Sequence, residues 1–127
     1  MNGLLIAVGG AIGSLARYWV AEWVALAVGA AFPYGTLLVN VTGSFLIGFV
    51  AGGSWEHIRL AEAPAIRSFV MVGICGGYTT FSSFSLQTVL LLQAGEWFRA
   101  SMNVLLSVLG CLLSTWAGFA VAAAFSR

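Results

Sequence analysis

The sequence predicts an all-α integral membrane protein with four transmembrane helices, the third broken near its middle. Three observations carry that prediction. Of the 127 residues, 61% are hydrophobic and 7% charged, where a soluble domain carries about 25% charged residues. The apolar residues fall into four segments divided by short turns, and a hydrocarbon core about 30 Å thick takes about 20 helical residues per crossing. The third segment is interrupted by Gly76, Gly77 and a row of hydroxyls, which weaken a helix and are poor contacts for lipid. Four spans with short loops use the whole length, so one membrane domain over residues 1–127 is expected. The charged side chains are all arginine or glutamate, and a net charge of +1 offers no basic face to nucleic acid.

Span one covers about residues 3–27. Met1-Asn2-Gly3 runs straight into apolar residues without a basic stretch or an evident cleavage site, which reads as the start of a span rather than a removable signal. Gly9 and Gly13 form a G-x-x-x-G pair, a spacing that lets another helix backbone come close. Arg17 is the unusual member, because a charge near the bilayer centre costs about 2.5–3.5 kcal/mol on insertion scales. It must face protein or water, or snorkel to an interface. With Tyr18, Trp19 and Trp23 beside it, Arg17 reads as an interfacial anchor; a substrate contact is the other reading. Pro33, with Gly29 and Gly35, marks a turn. Span two covers about residues 36–53, with Asn40, Gly43, Ser44 and Gly48 near one face. Asn40 brings two donors and an acceptor that lipid cannot satisfy, so it serves either an interhelical hydrogen bond or a polar path.

Residues 54–64 form the polar loop, in which His57 reads as a solvated side chain without ligand partners. Span three covers about residues 65–93, which is long for one straight crossing. That length and the Gly76-Gly77 pair predict two half-helices joined by an unwound break. Gly95 to Arg99 is the next turn, and span four covers about residues 101–125, with Asn103, Ser107, Ser114 and Thr115 as its polar positions. Cys75 and Cys111 lie in apolar segments and read as packing residues rather than a disulfide. Arg59, Arg67 and Arg127 fall on one side, Arg99 on the other, and Arg17 on neither clearly. So small a bias would suit insertion in both orientations, and hence an antiparallel dimer.

The stretch from Gly73 to Ser85 carries the chemistry. Non-helical backbone at membrane depth survives only where protein or a water-filled path covers it. An unwound turn frees carbonyls, and hard oxygens at half-helix ends suit small hard cations. The carbonyls around Gly76–Thr79 can therefore hold a monovalent cation, and no acidic side chain is near to favour a divalent one. Phe81 and Phe84 are neighbours at i, i+3 on one helix face. Aromatic edges are positive and can stabilise a small anion without a formal charge, whereas the faces favour a cation. Ser82 and Ser85 repeat the spacing with hydroxyl donors. Such a track suits an anion held weakly enough to leave. Taken alone, two phenylalanines at this spacing also read as packing; the adjoining glycines, threonines and serines favour a pathway.

Gly76-Gly77-Tyr78-Thr79-Thr80-Phe81-Ser82-Ser83-Phe84-Ser85 matches the GGxTTFSxFS signature of the CrcB/Fluc fluoride channel family. Gly35-Thr36-Leu37-Leu38-Val39-Asn40, continued by Gly43 and Gly48, is similar to the family's GTLxVNxxGxxxxG, and Gly10, Gly13 and Arg17 resemble its GGxxGxxxR. The similarity covers essentially the whole chain. It implies a fluoride-selective passive channel exporting cytoplasmic fluoride across the inner (plasma) membrane. It further implies an antiparallel, dual-topology homodimer with two pores and a buried Na⁺ at its centre. By position, the carbonyls of Gly76 and Thr79 would hold the Na⁺, Phe81 and Phe84 would supply the fluoride-contacting rings, and Asn40 would donate into the pore. Ser82, Ser83, Ser85 and Thr115 would form a polar track, and Arg17 would line a wide vestibule. Gln87 stands where relatives commonly have glutamate, and Cys111 where relatives have serine, so a carboxylate role and one hydroxyl contact are in question.

Two other classes compete. A small multidrug-type, proton-coupled secondary transporter needs a carboxylate embedded in the membrane, and Glu22, near the end of span one, is the in-span candidate. A non-transporting membrane subunit would use the small-residue faces for packing alone. An enzyme is not expected, because the sequence has no nucleophile–base pair and no metal cluster. Without lysine it also lacks the G-x-x-x-x-G-K-[ST] loop of a nucleotide-driven pump.

Overall fold

The computed structural model describes residues 2–126, so Arg127, counted above with Arg59 and Arg67 on one side of the membrane, lies outside the described residues. Helix α1 spans Asn2–Val28 and α2 spans Tyr34–Gly52. A two-stranded hairpin follows, β1 (Ser54–Trp55) pairing antiparallel with β2 (Ile58–Arg59) through a turn in which Glu56 and His57 have positive φ. After a 3₁₀ turn at Leu60–Glu62, α3 occupies residues 64–78 and α4 spans Phe81–Gln93. The last helix, α5, spans Trp97–Phe125. Counting Pro64–Gln93 as one run, four helical segments among the described residues are long and apolar enough to cross a membrane. Their outer faces are apolar all round, with Leu26, Leu112 and Trp116 at least two-thirds of the way to full exposure or close to it, as expected of helices solvated by lipid.

The helix ends follow from local chemistry. Gly29 closes α1 at φ +83°, its N–H bonding the Ala25 carbonyl. Pro64 opens α3 at a position where a missing N–H costs nothing. At the end of α4, Gly95 (φ +77°) donates to the Leu92 carbonyl while Glu96 donates to that of Leu91. This paired pattern is a Schellman cap. It lets the chain re-enter a helix at once, so α5 begins at Trp97 rather than at Ser101, where the sequence had suggested the span would start. Similarly α2 starts at Tyr34, two positions inside the turn read around Pro33.

Two close helix pairs build the fold: α1 with α3, and α2 with α5. Both rest on glycine. A Cβ on Gly13 would collide with the Ile74 carbonyl, and one on Gly9 with that of Phe69; Gly77 in turn faces the Gly10 carbonyl. In the second pair Gly48 lies on the Thr115 backbone and Gly118 on that of Phe45. Replacing Gly13 by valine therefore should abolish monodisperse protein in detergent or lower its melting temperature sharply. Overpacking of this kind typically costs about 1–3 kcal/mol, and here the obstructing atoms are backbone. Gly3→Ala, at a position open to its surroundings, is the control and should leave the melting temperature unchanged.

The third crossing departs from the sequence reading in where it loses helical geometry. Gly76 and Gly77 remain helical, Gly76 at φ −63°, ψ −37°. Extended backbone occurs instead at Thr79 (φ −83°, ψ 156°) and Thr80 (φ −152°, ψ 116°). Gly77 is spent on helix approach, since a side chain there would meet the Gly10 carbonyl at 2.5 Å, whereas Gly76 faces no other helix at close range. Upstream, Arg67–Cys75 is π-helical, a wider winding that hydrophobic periodicity does not announce.

Candidate functional site

The extended residues are held by one side chain. Asn40, on α2, donates from Nδ2 to the Thr80 carbonyl at 3.0 Å, and its Oδ1 accepts the Thr80 N–H at 2.8 Å. The carboxamide thus pairs with Thr80 as a neighbouring β-strand would, satisfying both backbone groups of a residue that is almost fully buried. Thr80 also caps α4, its Oγ1 accepting the Ser83 N–H at 3.2 Å. On the α3 side, Thr79 N–H and Oγ1–H both go to the Cys75 carbonyl, at 3.0 and 2.8 Å. Tyr78 Oη lies 2.9 Å from Thr42 Oγ1, tying the end of α3 to α2.

These bonds have a consequence for two carbonyls. In an unbroken helix Gly76 would accept from the N–H of Thr80, and Thr79 from that of Ser83. Those donors go to Asn40 and to the Thr80 hydroxyl instead. The Gly76 and Thr79 oxygens are left without the helical donors they would otherwise have, and both residues border the same groove. A pair of freed carbonyl oxygens is a hard donor set of the kind that fits Na⁺.

That groove, about 430 Å³, runs between α2, the α3–α4 break and α5. It brings Asn40, Gly76, Thr79, Phe81 and Phe84 together, and its remaining walls include Ser44, Thr80, Ser107 and Cys111. No lining residue carries a formal charge. The Phe81 and Phe84 ring centroids lie 5.4 Å apart with their planes at 53°, a tilted pair. Phe84 is buried, whereas Phe81 is 77% exposed on the surface of the chain. Thr80 also borders a second recess of about 350 Å³ on the α1 side, where Arg17, Glu22, Ser83 and Gln87 meet. Gln87 Oε1 is buried there without a hydrogen-bond partner among the described residues.

Of the other expected residues, Arg17 and Ser83 line the second recess, whereas Ser82, Ser85 and Thr115 line neither. Ser82 Oγ is 3.3 Å from Thr80 Oγ1, and Ser85 donates back to the Phe81 carbonyl at 3.0 Å. The Thr115 main chain supports Gly48, and the residue borders neither recess. Sequence reasoning passed over Thr80, the pivot of the whole arrangement. A threonine directly before an apolar helical run is an N-cap signal and could have marked it. It also passed over Ser107, which stands one helical turn before Cys111 and faces the same groove.

Comparison with known proteins shows what the chain is similar to. A sequence model for the family described as "CrcB-like protein, Camphor Resistance (CrcB)" matches residues 4–119. The chain is 50% identical over 127 residues to a "Fluoride-specific ion channel FluC" of Methylocella silvestris, covering 100% of this chain and 97% of that one. It is 49% identical over 118 residues to the protein of the same name from Rhodospirillum rubrum, covering 93% and 92% of the two chains. A third, from Opitutus terrae, is 50% identical over 115 residues, covering 91% and 87%. With the signature stretch forming an extended break beside an uncharged, ring-lined groove in a multi-pass membrane protein, the chain belongs to the CrcB family.

Proposed function

We propose that this protein is a fluoride-selective passive channel that lets cytoplasmic F⁻ leave the cell across the inner (plasma) membrane, conferring fluoride resistance. The observation that carries the reading is the groove itself: a tilted phenylalanine pair, an asparagine and hydroxyls, with no formal charge. Relatives about half identical over nearly the full length carry the name fluoride-specific ion channel. Ring edges and hydroxyl or amide donors can replace part of the hydration shell of a small anion without trapping it, which is what conduction requires. A fixed arginine in the same place would bind too tightly to release quickly. The groove also lacks the carboxylate that a proton-coupled exporter needs.

The working unit is an antiparallel, dual-topology homodimer. Phe81 and Gly76 are exposed on the lone chain and border the groove, so a second copy laid over this face would enclose the path. The carbonyls of Gly76 and Thr79 would hold a structural Na⁺, which supplies a fixed positive charge where the two breaks meet. Asn40 keeps Thr80 extended and so keeps those carbonyls free; its second amide proton remains available to the groove. Phe81 and Phe84 provide the ring contacts, Ser82, Ser83, Ser85 and Thr115 the hydroxyl track, and Arg17 the vestibule.

The physiology needs no energy source. HF enters as a neutral molecule, dissociates in near-neutral cytoplasm and is trapped as F⁻; an inside-negative potential then drives the anion out through an open path. Proteoliposomes loaded with potassium fluoride should release F⁻ rapidly once valinomycin lets K⁺ follow, with little Cl⁻ release under the same conditions. A fluoride electrode reads the result. Absence of F⁻ release combined with proton-coupled uptake of an organic cation would overturn the channel reading in favour of an exporter.

A further inference from the structure

The ring-bearing half-helix α4 is lightly held. Its packing partners are α5 and α2, and it touches both far less extensively than α2 touches α5. Among the described residues, only two side-chain hydrogen-bond anchors cross from this crossing's second half to another helix. One is Asn40 at Thr80. The other lies two turns further on, where Asn103 of α5 donates from Nδ2 to Thr88 Oγ1 at 2.9 Å. Thr88 in turn donates its hydroxyl proton to the Phe84 carbonyl at 2.8 Å, and Ser107, on the groove wall, donates to Asn103 Oδ1 at 3.4 Å. Asn103 is 2% exposed, so its amide has no water to turn to.

We infer that Thr88 and Asn103 are positioning residues for conduction: their hydrogen-bonded bracket fixes the turn of α4 that carries Phe84, and with it the ring's placement in the groove. This rests on the channel reading above. Three features support it. Thr88 follows Phe84 by one helical turn and grips that residue's own carbonyl, so any shift at Thr88 is passed to the ring without slack. The bracket is directional, whereas the apolar α4–α5 contact around it would tolerate sliding or rotation. Polar groups that cannot find another partner in hydrocarbon resist breaking, even where their net stabilisation is modest. Anion contact through ring edges depends steeply on orientation, so a small rotation of Phe84 would present a repulsive face instead of an edge.

The test compares F⁻ efflux from proteoliposomes for wild type, Thr88→Val, Thr88→Ser and the double variant Thr88→Val/Asn103→Leu, with melting temperature measured alongside. Thr88→Val keeps the shape but removes the hydroxyl, and efflux should fall by about tenfold or more. Thr88→Ser keeps the hydroxyl and should stay close to the wild-type rate. The double variant removes both polar partners together and so should recover stability, yet efflux should remain low because nothing orients the turn. Efflux that recovers along with stability in the double variant would overturn the inference, as would wild-type efflux in Thr88→Val or equal losses in Thr88→Ser and Thr88→Val. Should Thr88→Val fail to assemble alone, the double variant and Thr88→Ser decide the matter. Wild-type protein that releases no F⁻ in the same preparation would defeat the channel reading rather than the bracket.

Discussion

Asn40→Asp should abolish fluoride conduction. The substitution is nearly isosteric, but an ionised carboxylate has no proton to give. It keeps the bond from the Thr80 N–H and turns the other contact, with the Thr80 carbonyl at 3.0 Å, into an opposition of two oxygens. Thr80 is then no longer pinned on both sides, and the freed Gly76 and Thr79 carbonyls lose their fixed geometry. The second effect is electrostatic. A unit negative charge about 4 Å from the passing ion opposes it by about 4 kcal/mol at an effective dielectric constant of about 20, a factor of about a thousand in occupancy. Both effects point the same way, so flux should fall to the background of empty liposomes. Asn40→Leu separates them: it removes the clamp without adding charge and should reduce flux severely, though by less than Asn40→Asp. Unchanged flux in both variants would remove Asn40 from the mechanism.

How much of this arrangement was legible in advance depends on the range over which each feature is decided. The crossings were plain because composition and segment length decide them, and the glycine face of α1 was plain because G-x-x-x-G states a close approach directly. The site residues Asn40, Gly76, Thr79, Phe81 and Phe84 were selected from the sequence, and the fold brings them to one groove. The position of the break was less legible. A glycine pair looks like the weak point of a helix, and local propensity gives no reason to look further along. The competing donor and acceptor come from Asn40, 40 residues away, and they win because a carboxamide can satisfy the N–H and C=O of Thr80 together. Gly76 and Gly77 are then free to remain helical, and Gly77 admits α1. The π-helical winding of Arg67–Cys75 and the Thr88–Asn103 bracket have the same character. Each is decided by a partner on another helix, and one sequence without its fold does not pair those partners.

Phe84→Ile and Phe81→Ile should each abolish or sharply reduce F⁻ efflux, and the way stability responds should differ between them. Isoleucine retains much of the apolar bulk but has no ring edge, so it removes the electrostatic contact with an anion while largely preserving packing. Phe84 is buried at 9% exposure, where such a swap typically costs up to about 1.5 kcal/mol. A modest fall in melting temperature is therefore expected there. Phe81 is 77% exposed on the single chain, so its replacement should leave the chain's own fold unaffected. Any loss of assembly in Phe81→Ile would point to a packing role at the face that the proposed second copy would cover. Flux lost in Phe81→Ile with dimer and melting temperature intact would isolate the ring edge as the functional element. Wild-type flux in both variants would show the rings to be packing residues. The path would then have to run through the second recess, where Ser83, Gln87 and Arg17 meet. That alternative is physically poorer for rapid transit, because it places a full positive charge beside the ion and offers no aromatic edge to soften its departure.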